Sequence, residues 1–347
     1  HDAAKLDAAP QDAALRDAGD NDAKIGEGGP TDAAPAETGA GDEDSGQGLD
    51  AGPLDSGTSE DTFTMRVVTL GLSAPWEITW GPDSRLWIAE RVGKRVIRVD
   101  PTSGALTVAL TVADAYQASG QDGVLGMALD PRLGQASGAD YVYLAYTYDA
   151  DAGPAIDRRA KLVRYTYDAD SESLGSPVEL IAGLPASNDH NSGRLAYGPD
   201  ARLYYTIGDQ GKNQFDNMCL VIRAQDLPLQ IEVNQEDWSA YQGKVLRLEL
   251  DGSIPADNPT IAGVRSHIYS YGHRNAQGIA FGPDGKLYAD EQGPKTDDEI
   301  NWIQPGKNYG WPQVAGYQDD KVYVYGNWSA SSPEPCANLT FSDYGWP

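Results

Sequence analysis

The chain has 347 residues, and its 52 Asp and Glu against 26 Lys and Arg give a formal net charge of −26. Nucleic acid and anionic membrane surfaces are poor partners for such a chain, because phosphate contacts need clustered Lys and Arg. No run of about 18 apolar residues occurs, so no membrane-spanning helix is predicted. Two cysteines, Cys219 and Cys336, are too few for a disulfide framework, a zinc knuckle or an iron–sulfur cluster, and whether they pair is left open.

Residues 1–61 form a separate compositional class. Acidic residues fall there at every fifth position from Asp2 to Asp42, among Ala, Gly, Pro and Ser. A stretch with so few large apolar residues cannot bury enough surface to offset its ordering entropy, so we expect a disordered acidic spacer. A calcium-binding tail is disfavoured, because isolated carboxylates five apart do not converge on one ion. A spacer of this kind favours an extracytoplasmic protein that is periplasmic, secreted or tethered to a surface.

Residues 64–347 have the pattern of β-structure. Short alternating runs, such as those at 66–70, 86–89, 96–99 and 245–250, are separated by Gly, Pro and Asp clusters. No amphipathic helix of a dozen residues is evident in this region. The sequence therefore predicts an all-β fold.

A hairpin signal repeats along this region. Three copies share an aromatic residue, Gly-Pro-Asp, two further residues, Leu and a second aromatic residue, at 80–87, 197–204 and 281–288, with a looser copy at 129–143. Proline presets φ and aspartate bonds to the local backbone, so each copy predicts a tight turn between antiparallel strands. Strands fringed with Lys and Arg recur downstream. Together these features predict a β-propeller built from four-stranded antiparallel blades.

About four such blades fit into residues 64–347, and the pattern stops at Pro347 without a closing strand. An unclosed propeller would leave bare sheet edges, which natural proteins avoid. We therefore expect further sequence after this position.

Three loops carry residues suited to chemistry. His190 lies in a polar loop beside Asp189, and a flanking carboxylate would hold the ring of a general base, although a loop histidine alone is more often a surface residue. Arg274 offers a fixed cation and Asn275 both a donor and an acceptor. Residues 291–300 hold four carboxylates beside a Gly-Pro pair, which fits calcium and a solvated acidic loop equally well.

Taken together, these loops resemble the soluble quinoprotein glucose/sorbosone dehydrogenase family, and its soluble glucose dehydrogenase branch in particular. Seven segments follow the family's order: Gln-Asp-Gly-Val-Leu-Gly at 121–126, Asn-Asp-His-Asn-Ser-Gly at 188–193, Gly-Asp-Gln-Gly at 208–211, Gly-Lys-Val-Leu-Arg at 243–247, Gly-His-Arg-Asn at 272–275, Glu-Gln-Gly-Pro at 291–294 and Asp-Glu-Ile-Asn at 298–301. The resemblance implies a six-bladed propeller that uses pyrroloquinoline quinone (PQQ) and calcium. The implied reaction oxidises the anomeric hydroxyl of a glucose-like aldose to the lactone by hydride transfer to PQQ. Electrons then pass to an external acceptor, which could be a quinone, a dye or a cytochrome.

The resemblance also implies catalytic roles for matching residues. His190 would be the general base, with Asp189 and Gln121 orienting the base and the substrate. Asp209 would line the sugar pocket. Arg274 would neutralise charge that grows on the quinone oxygen.

Cofactor and metal ligands follow from the same resemblance. Asn275, Gln292 and Gln121 would contact PQQ, and the carbonyls of Gly293 and Pro294 would bind the calcium that polarises it. A second, structural calcium would take the side chains of Glu299 and Asp319 with the carbonyls of Tyr309, Ala315 and Tyr317.

Two other functions compete with this one. A non-catalytic calcium-binding propeller that recognises carbohydrate or protein has no need for a base opposite a cation, so His190 and Arg274 argue against it. A lactone hydrolase would need a catalytic metal and no quinone. The family's last two blades contribute further basic residues to the cofactor site and do not occur before Pro347, so the chain as given is expected to be inactive alone. Dimerisation and a membrane tether through the spacer are left open.

Overall fold

The computed structural model describes residues 64–118, 120–135, 138–212, 217, 220–294, 297–314 and 316. The predicted spacer at 1–61 and both cysteines lie outside these residues. Within them the only α-helix is α1 (Gln230–Asn234), which has five residues, and a 3₁₀ turn spans Ser239–Tyr241. No helix there is long and apolar enough to cross a membrane.

Four antiparallel sheets follow one another along the chain. The first has the order β1 (Pro75–Trp80), β2 (Leu86–Glu90), β3 (Arg95–Val99) and β4 (Leu106–Thr111). The second has the order β5 (Val124–Leu129), β6 (Tyr141–Asp149), β7 (Arg158–Asp168) and β8 (Ser173–Pro185). We call these sheets blades 1 and 2.

Blade 3 begins with β9 (Leu195–Tyr197), β10 (Leu203–Ile207) and β11 (Lys244–Leu248). A small hairpin of β12 (Thr260–Ile261) and β13 (Val264–Arg265) precedes its fourth strand, β14 (Ile268–Tyr271). Blade 4 has three strands among the described residues: β15 (Ala276–Phe281), β16 (Leu287–Glu291) and β17 (Glu299–Ile303).

The four blades form a propeller arrangement, which confirms the predicted all-β propeller. The first strands of successive blades, β1, β5, β9 and β15, contact one another in that order. Arg194, just before β9 of blade 3, bonds to blades 4 and 1. Its Nε donates to the carbonyl of Gln277 in β15 at 2.7 Å, and its Nη1 donates to the carboxylate of Glu77 in β1 at 2.5 Å. The first strands therefore surround a common axis.

The Gly-Pro-Asp turns join the first two strands of blades 1, 3 and 4, as predicted. The aspartate of the turn also binds the third strand. In blade 1, Asp83 accepts from the indole of Trp87 and from the guanidinium of Arg98, which lies 5.1 Å from the indole centroid. Asp200 and Arg247 repeat this pairing in blade 3. In blades 1 and 3 the turn therefore also holds three strands together.

One predicted strand is wrong. Residues 66–70 form no strand and pair with no strand among the described residues. The guanidinium of Arg66 instead donates to the carbonyls of Pro101 and Thr102, in the turn between β3 and β4. The alternating pattern alone does not supply the partner strand that pairing requires.

Apolar side chains fill the spaces between neighbouring blades. Between blades 2 and 3 the fully buried residues include Tyr143, Leu162, Tyr205 and Leu246. Burial of each such side chain contributes roughly 1.5–3 kcal/mol to folding. The packed blades therefore form a rigid scaffold for the loops at their edges.

Candidate active site

The loops that carry the predicted site residues meet at one edge of the blades. Three of them lead into a first strand: residues 120–123 before β5, 187–194 before β9 and 272–275 before β15. Two follow a second strand: 208–212 after β10 and 291–294 after β16. In an antiparallel sheet, one strand begins at the same edge at which its neighbour ends. The sheet topology therefore gathers all five loops on one face.

His190 is buried in this loop cluster and pairs with a carboxylate. Its ring is 6% exposed, and Nδ1 lies 2.7 Å from Oδ1 of Asp209, which is 1% exposed. An ionised carboxylate only accepts hydrogen bonds, so Nδ1 carries the hydrogen and Nε2 is the proton-accepting nitrogen. Asp209, predicted to line the sugar pocket, thus also orients the predicted base.

Asp189 and Gln121 shape the loop around this base. Oδ1 of Asp189 accepts the backbone N–H of His190 at 2.9 Å and the amide of Gln121 at 3.0 Å. These bonds help to hold His190 at φ 46°, in the left-handed region that non-glycine residues rarely adopt. A Cβ at Gly208 would lie 2.0 Å from the His190 carbonyl, so only glycine allows the two loops to approach so closely.

Arg274 and Asn275 lie beside the His190–Asp209 pair. The backbone N–H of Asp209 donates to the Arg274 carbonyl at 2.8 Å, and Nη1 of Arg274 donates to the carbonyl of Gln292 at 3.2 Å. Oδ1 of Asn275 accepts both the N–H and the hydroxyl of Ser192, whereas its buried Nδ2 has no hydrogen-bond partner among the described residues. An unpaired buried donor is costly, so this atom points to a missing acceptor.

A buried pair that the sequence did not predict supports Arg274. Nδ1 of His273 lies 3.1 Å from the carboxylate of Glu291, which also accepts the backbone N–H of Arg274 at 2.5 Å. The His273 ring bonds to Ser270 and stacks on Tyr309, with 4.6 Å between the ring centroids. This pair fixes the backbone from which the guanidinium projects.

The predicted calcium ligands are only partly described. Gly293 and Pro294 lie half-buried at the end of blade 4, where the Gly293 N–H donates to Asp298. Burial, with a smaller effect of the Glu291 charge, raises the pKa of Glu299. Ala315, Tyr317 and Asp319 lie outside the described residues, while Tyr309 packs on His273. Within the described residues no three His, Cys, Asp or Glu side chains converge on a metal position, so calcium stays a prediction.

A cavity of about 510 Å³ opens beside these residues. Its lining combines the cation of Arg194 with a set of acidic and amide side chains: Gln277, Asp290, Glu291, Gln292, Asp298 and Glu299. The predicted cofactor residue Gln292 and the predicted metal ligand Glu299 therefore share one opening.

Comparison with known proteins decides the family. A family model described as "Glucose / Sorbosone dehydrogenase" matches residues 72–335. The chain belongs to this family. The resemblance drawn from the seven loop segments is thereby confirmed.

Relatives of the glucose/sorbosone dehydrogenase family resemble the chain over most of its length. It is 46% identical over 282 residues to quinoprotein glucose dehydrogenase B of Acinetobacter calcoaceticus, covering 80% of this chain and 58% of that protein. It is 31% identical over 258 residues to the aldose sugar dehydrogenase YliI of Escherichia coli, covering 72% of this chain and 62% of that protein. The chain thus spans about three fifths of the length of these relatives.

A solved structure of the family shares the fold. The PQQ-bound aldose sugar dehydrogenase of Streptomyces coelicolor matches with a TM-score of 0.60 and 34% identity, over 75% of this chain and 68% of that chain. The aldose sugar dehydrogenase of Escherichia coli in its apo-form matches with a TM-score of 0.57 and 31% identity, over 72% of this chain and 66% of that chain. The blade architecture described above is therefore that of the glucose/sorbosone dehydrogenase family.

Proposed function

We propose that the full-length protein is a PQQ-dependent aldose dehydrogenase that oxidises the anomeric hydroxyl of a glucose-like sugar to the lactone. One observation carries this proposal. A buried His190–Asp209 pair lies in the same loop cluster as the cation of Arg274 and the unpaired donor of Asn275. Membership of the glucose/sorbosone dehydrogenase family and the names of the relatives support it.

The described residues fit PQQ as a ligand. PQQ carries carboxylates and quinone carbonyls, so it is rich in hydrogen-bond acceptors and negatively charged. In the part of the chain that the structure describes, the buried Nδ2 of Asn275 lacks an acceptor, and the guanidinium of Arg274 is a fixed cation that pairs well with carboxylate or oxyanion groups. Arg274, Asn275 and Gln292 would hold the cofactor, with Gln121 at the edge of the site. When bound, PQQ supplies a two-electron acceptor for the hydride of the anomeric carbon.

His190 would take the proton of the anomeric hydroxyl on Nε2. Asp209 keeps the ring in the tautomer that leaves Nε2 as the acceptor, and its negative charge stabilises the imidazolium that forms. Both side chains are buried, so water screens this interaction only weakly. A positioned general base of this kind contributes roughly 10²–10⁴ in rate.

Calcium would complete the site. Gly293 and Pro294 carbonyls would hold one ion, which supplies Lewis-acid polarisation, and the Glu299 side chain with the Tyr309 carbonyl would contribute to a second.

The proposal also includes an external electron acceptor and an extracytoplasmic location. Electrons would leave to an external acceptor, and the acidic composition of residues 1–61 favours an extracytoplasmic protein joined to that spacer.

The test is quinone-dependent dye reduction by the full-length protein. Apo-protein would be mixed with PQQ and Ca²⁺, then with glucose or with sorbitol, which lacks an anomeric hydroxyl. We expect dye reduction with glucose only, and a loss of turnover of roughly 10²–10⁴ in His190→Ala while PQQ still binds. Failure of the wild-type protein to bind PQQ, or normal turnover by His190→Ala, would contradict the proposal.

A further inference from the structure

Trp311 contacts both halves of the proposed site. Trp311 is 5% exposed, and its Nε1 donates to Oδ2 of Asp209 at 2.8 Å. The two residues are 102 positions apart in the sequence. The guanidinium of Arg274 lies over its ring, with 5.6 Å between Cζ and the ring centroid. No sequence motif had assigned a role to this side chain.

The indole N–H completes the surroundings of the Asp209 carboxylate. Oδ1 of Asp209 binds Nδ1 of His190 at 2.7 Å and the N–H of Gly211 at 2.9 Å. Oδ2 binds the Trp311 indole. Because donors hold both oxygens, the plane of the carboxylate is fixed and Oδ1 is directed at the histidine ring.

The backbone of Trp311 is anchored independently of Asp209. Its N–H donates to the Gly272 carbonyl at 2.9 Å, and its own carbonyl accepts the amide of Gln225 at 2.7 Å. The indole is therefore positioned by the chain around it, and the carboxylate is positioned by the indole.

We propose that Trp311 is a positioning residue: its N–H sets the Asp209 carboxylate against His190, and its ring sets the Arg274 guanidinium relative to that pair. This inference rests on the proposed function for its effect on catalysis. A single side chain would then determine the geometry between the proton acceptor and the cation that binds the cofactor. An ordinary core tryptophan would contribute only packing and one satisfied N–H.

Trp238 provides a matched control for that ordinary role. It is 6% exposed, and its Nε1 donates to the backbone carbonyl of Ala182 at 2.9 Å, away from the loop cluster. Trp311→Phe and Trp238→Phe each keep an aromatic ring and remove one buried N–H. A purely structural effect should therefore be similar in the two variants.

Removing the indole N–H should change the titration of His190. Asp209 would lose one donor, its negative charge would act more strongly on the imidazolium, and the pKa of His190 would rise. The other charged groups around the pair are unchanged in the variant: Asp189 on the His190 backbone, Lys212, whose charge interacts with Asp209 and with Arg223, and Arg274.

The experiment is an NMR titration of ring-labelled histidine in the full-length apo-protein. We expect the His190 midpoint to move up by about 0.5 pH units or more in Trp311→Phe and to stay unchanged in Trp238→Phe. An unchanged midpoint in folded Trp311→Phe overturns the proposal. If that variant does not fold, the test is the indole ¹⁵N–¹H signal of Trp311 in the wild type, followed during the same pH titration. We expect this signal to shift with the midpoint of His190. An indole signal that does not change at that midpoint overturns the proposal.

Holoenzyme kinetics provide the second readout. We expect Trp311→Phe to lower kcat by about tenfold with the KM for aldose nearly unchanged, because the lost bond to a charged group acts on the base. Equal losses of kcat in Trp311→Phe and Trp238→Phe would mean that Trp311 contributes only packing, and this result would overturn the proposal. If the wild type oxidises no aldose, the proposed function fails, and the apo-protein titration still tests the positioning role.

Discussion

Oδ1 of Asp209 lies 2.7 Å from Nδ1 of His190, and the two residues belong to different loops of blade 3. The loop before β9 supplies the histidine and the loop after β10 supplies the carboxylate. The antiparallel pairing of these two strands is therefore what creates the pair.

This relationship predicts different effects for two neighbouring aspartates. Asp209→Asn removes the charge that stabilises the protonated ring, so we expect kcat to fall roughly 10²–10⁴-fold. Asp189→Asn keeps an Oδ1 that can still accept from His190 and Gln121, so we expect a loss of less than about tenfold. Steady-state kinetics of both variants would measure the contrast. A larger loss in Asp189→Asn would mean that the wrong carboxylate has been assigned to the ring.

The unpaired donor of Asn275 predicts a specific effect on cofactor binding. Asn275→Asp keeps the Oδ1 that accepts from Ser192 but replaces the donor with a second acceptor. We expect PQQ to bind about 10- to 100-fold more weakly, since a buried acceptor would then face an acceptor on the cofactor. Titration of apo-protein with PQQ measures this, with Asn234→Asp on α1 as a remote control. Equal PQQ affinities for Asn275→Asp and Asn234→Asp would show that Asn275 does not contact the cofactor.

Calcium should stabilise the protein through Glu299. An ion at one hundred times its dissociation constant adds about 2.7 kcal/mol to the free energy of unfolding, which corresponds to a rise in Tm on the order of 5 °C. Thermal unfolding with calcium, magnesium or chelator would measure this rise. Glu299→Gln should lose a large part of it. The same calcium response in the variant and the wild type would show that Glu299 is not a ligand.

His267 predicts how stability depends on pH. Its ring is buried between the Tyr241 hydroxyl and the Gly252 carbonyl, and burial lowers its pKa to about 4. Between about pH 4 and 6.5 the unfolded chain therefore binds more protons at this residue, and stability falls as the pH is lowered through that window. The total contribution is about 3 kcal/mol. Urea unfolding at several pH values should show a shallower acid slope for His267→Gln, and identical slopes would contradict the assignment.

The parts of the fold that the sequence predicted are local in origin. A Gly-Pro-Asp turn needs only four residues to close, so three of the hairpins could be recognised directly. The seven loop segments could be recognised because each is short and their order along the chain is that of the family. The wrong strand at 66–70 shows the limit, because strand pairing requires a partner edge that the pattern itself does not reveal.

The parts that could not be predicted depend on contacts between distant loops. Asp209 lies 19 residues from His190 and 102 residues from Trp311, and nothing in the spacing indicates that its two oxygens bind these two side chains. The support of Arg274 by His273 and Glu291 was missed for the same reason. A signal exists in the sequence, since an acidic residue directly precedes Gln292, but this position alone does not distinguish a buried partner of His273 from a residue of an acidic loop.

The most direct test of the proposed chemistry is a single turnover of bound PQQ in the full-length protein. Glucose and glucose deuterated at C1 would be mixed with holoprotein, and reduction of the quinone would be followed by its absorption. We predict rapid reduction that is slowed several-fold by the deuterium and abolished on the same timescale in His190→Ala. Absence of reduction by any aldose, or reduction at an equal rate in His190→Ala, would contradict a quinoprotein dehydrogenase with His190 as its base.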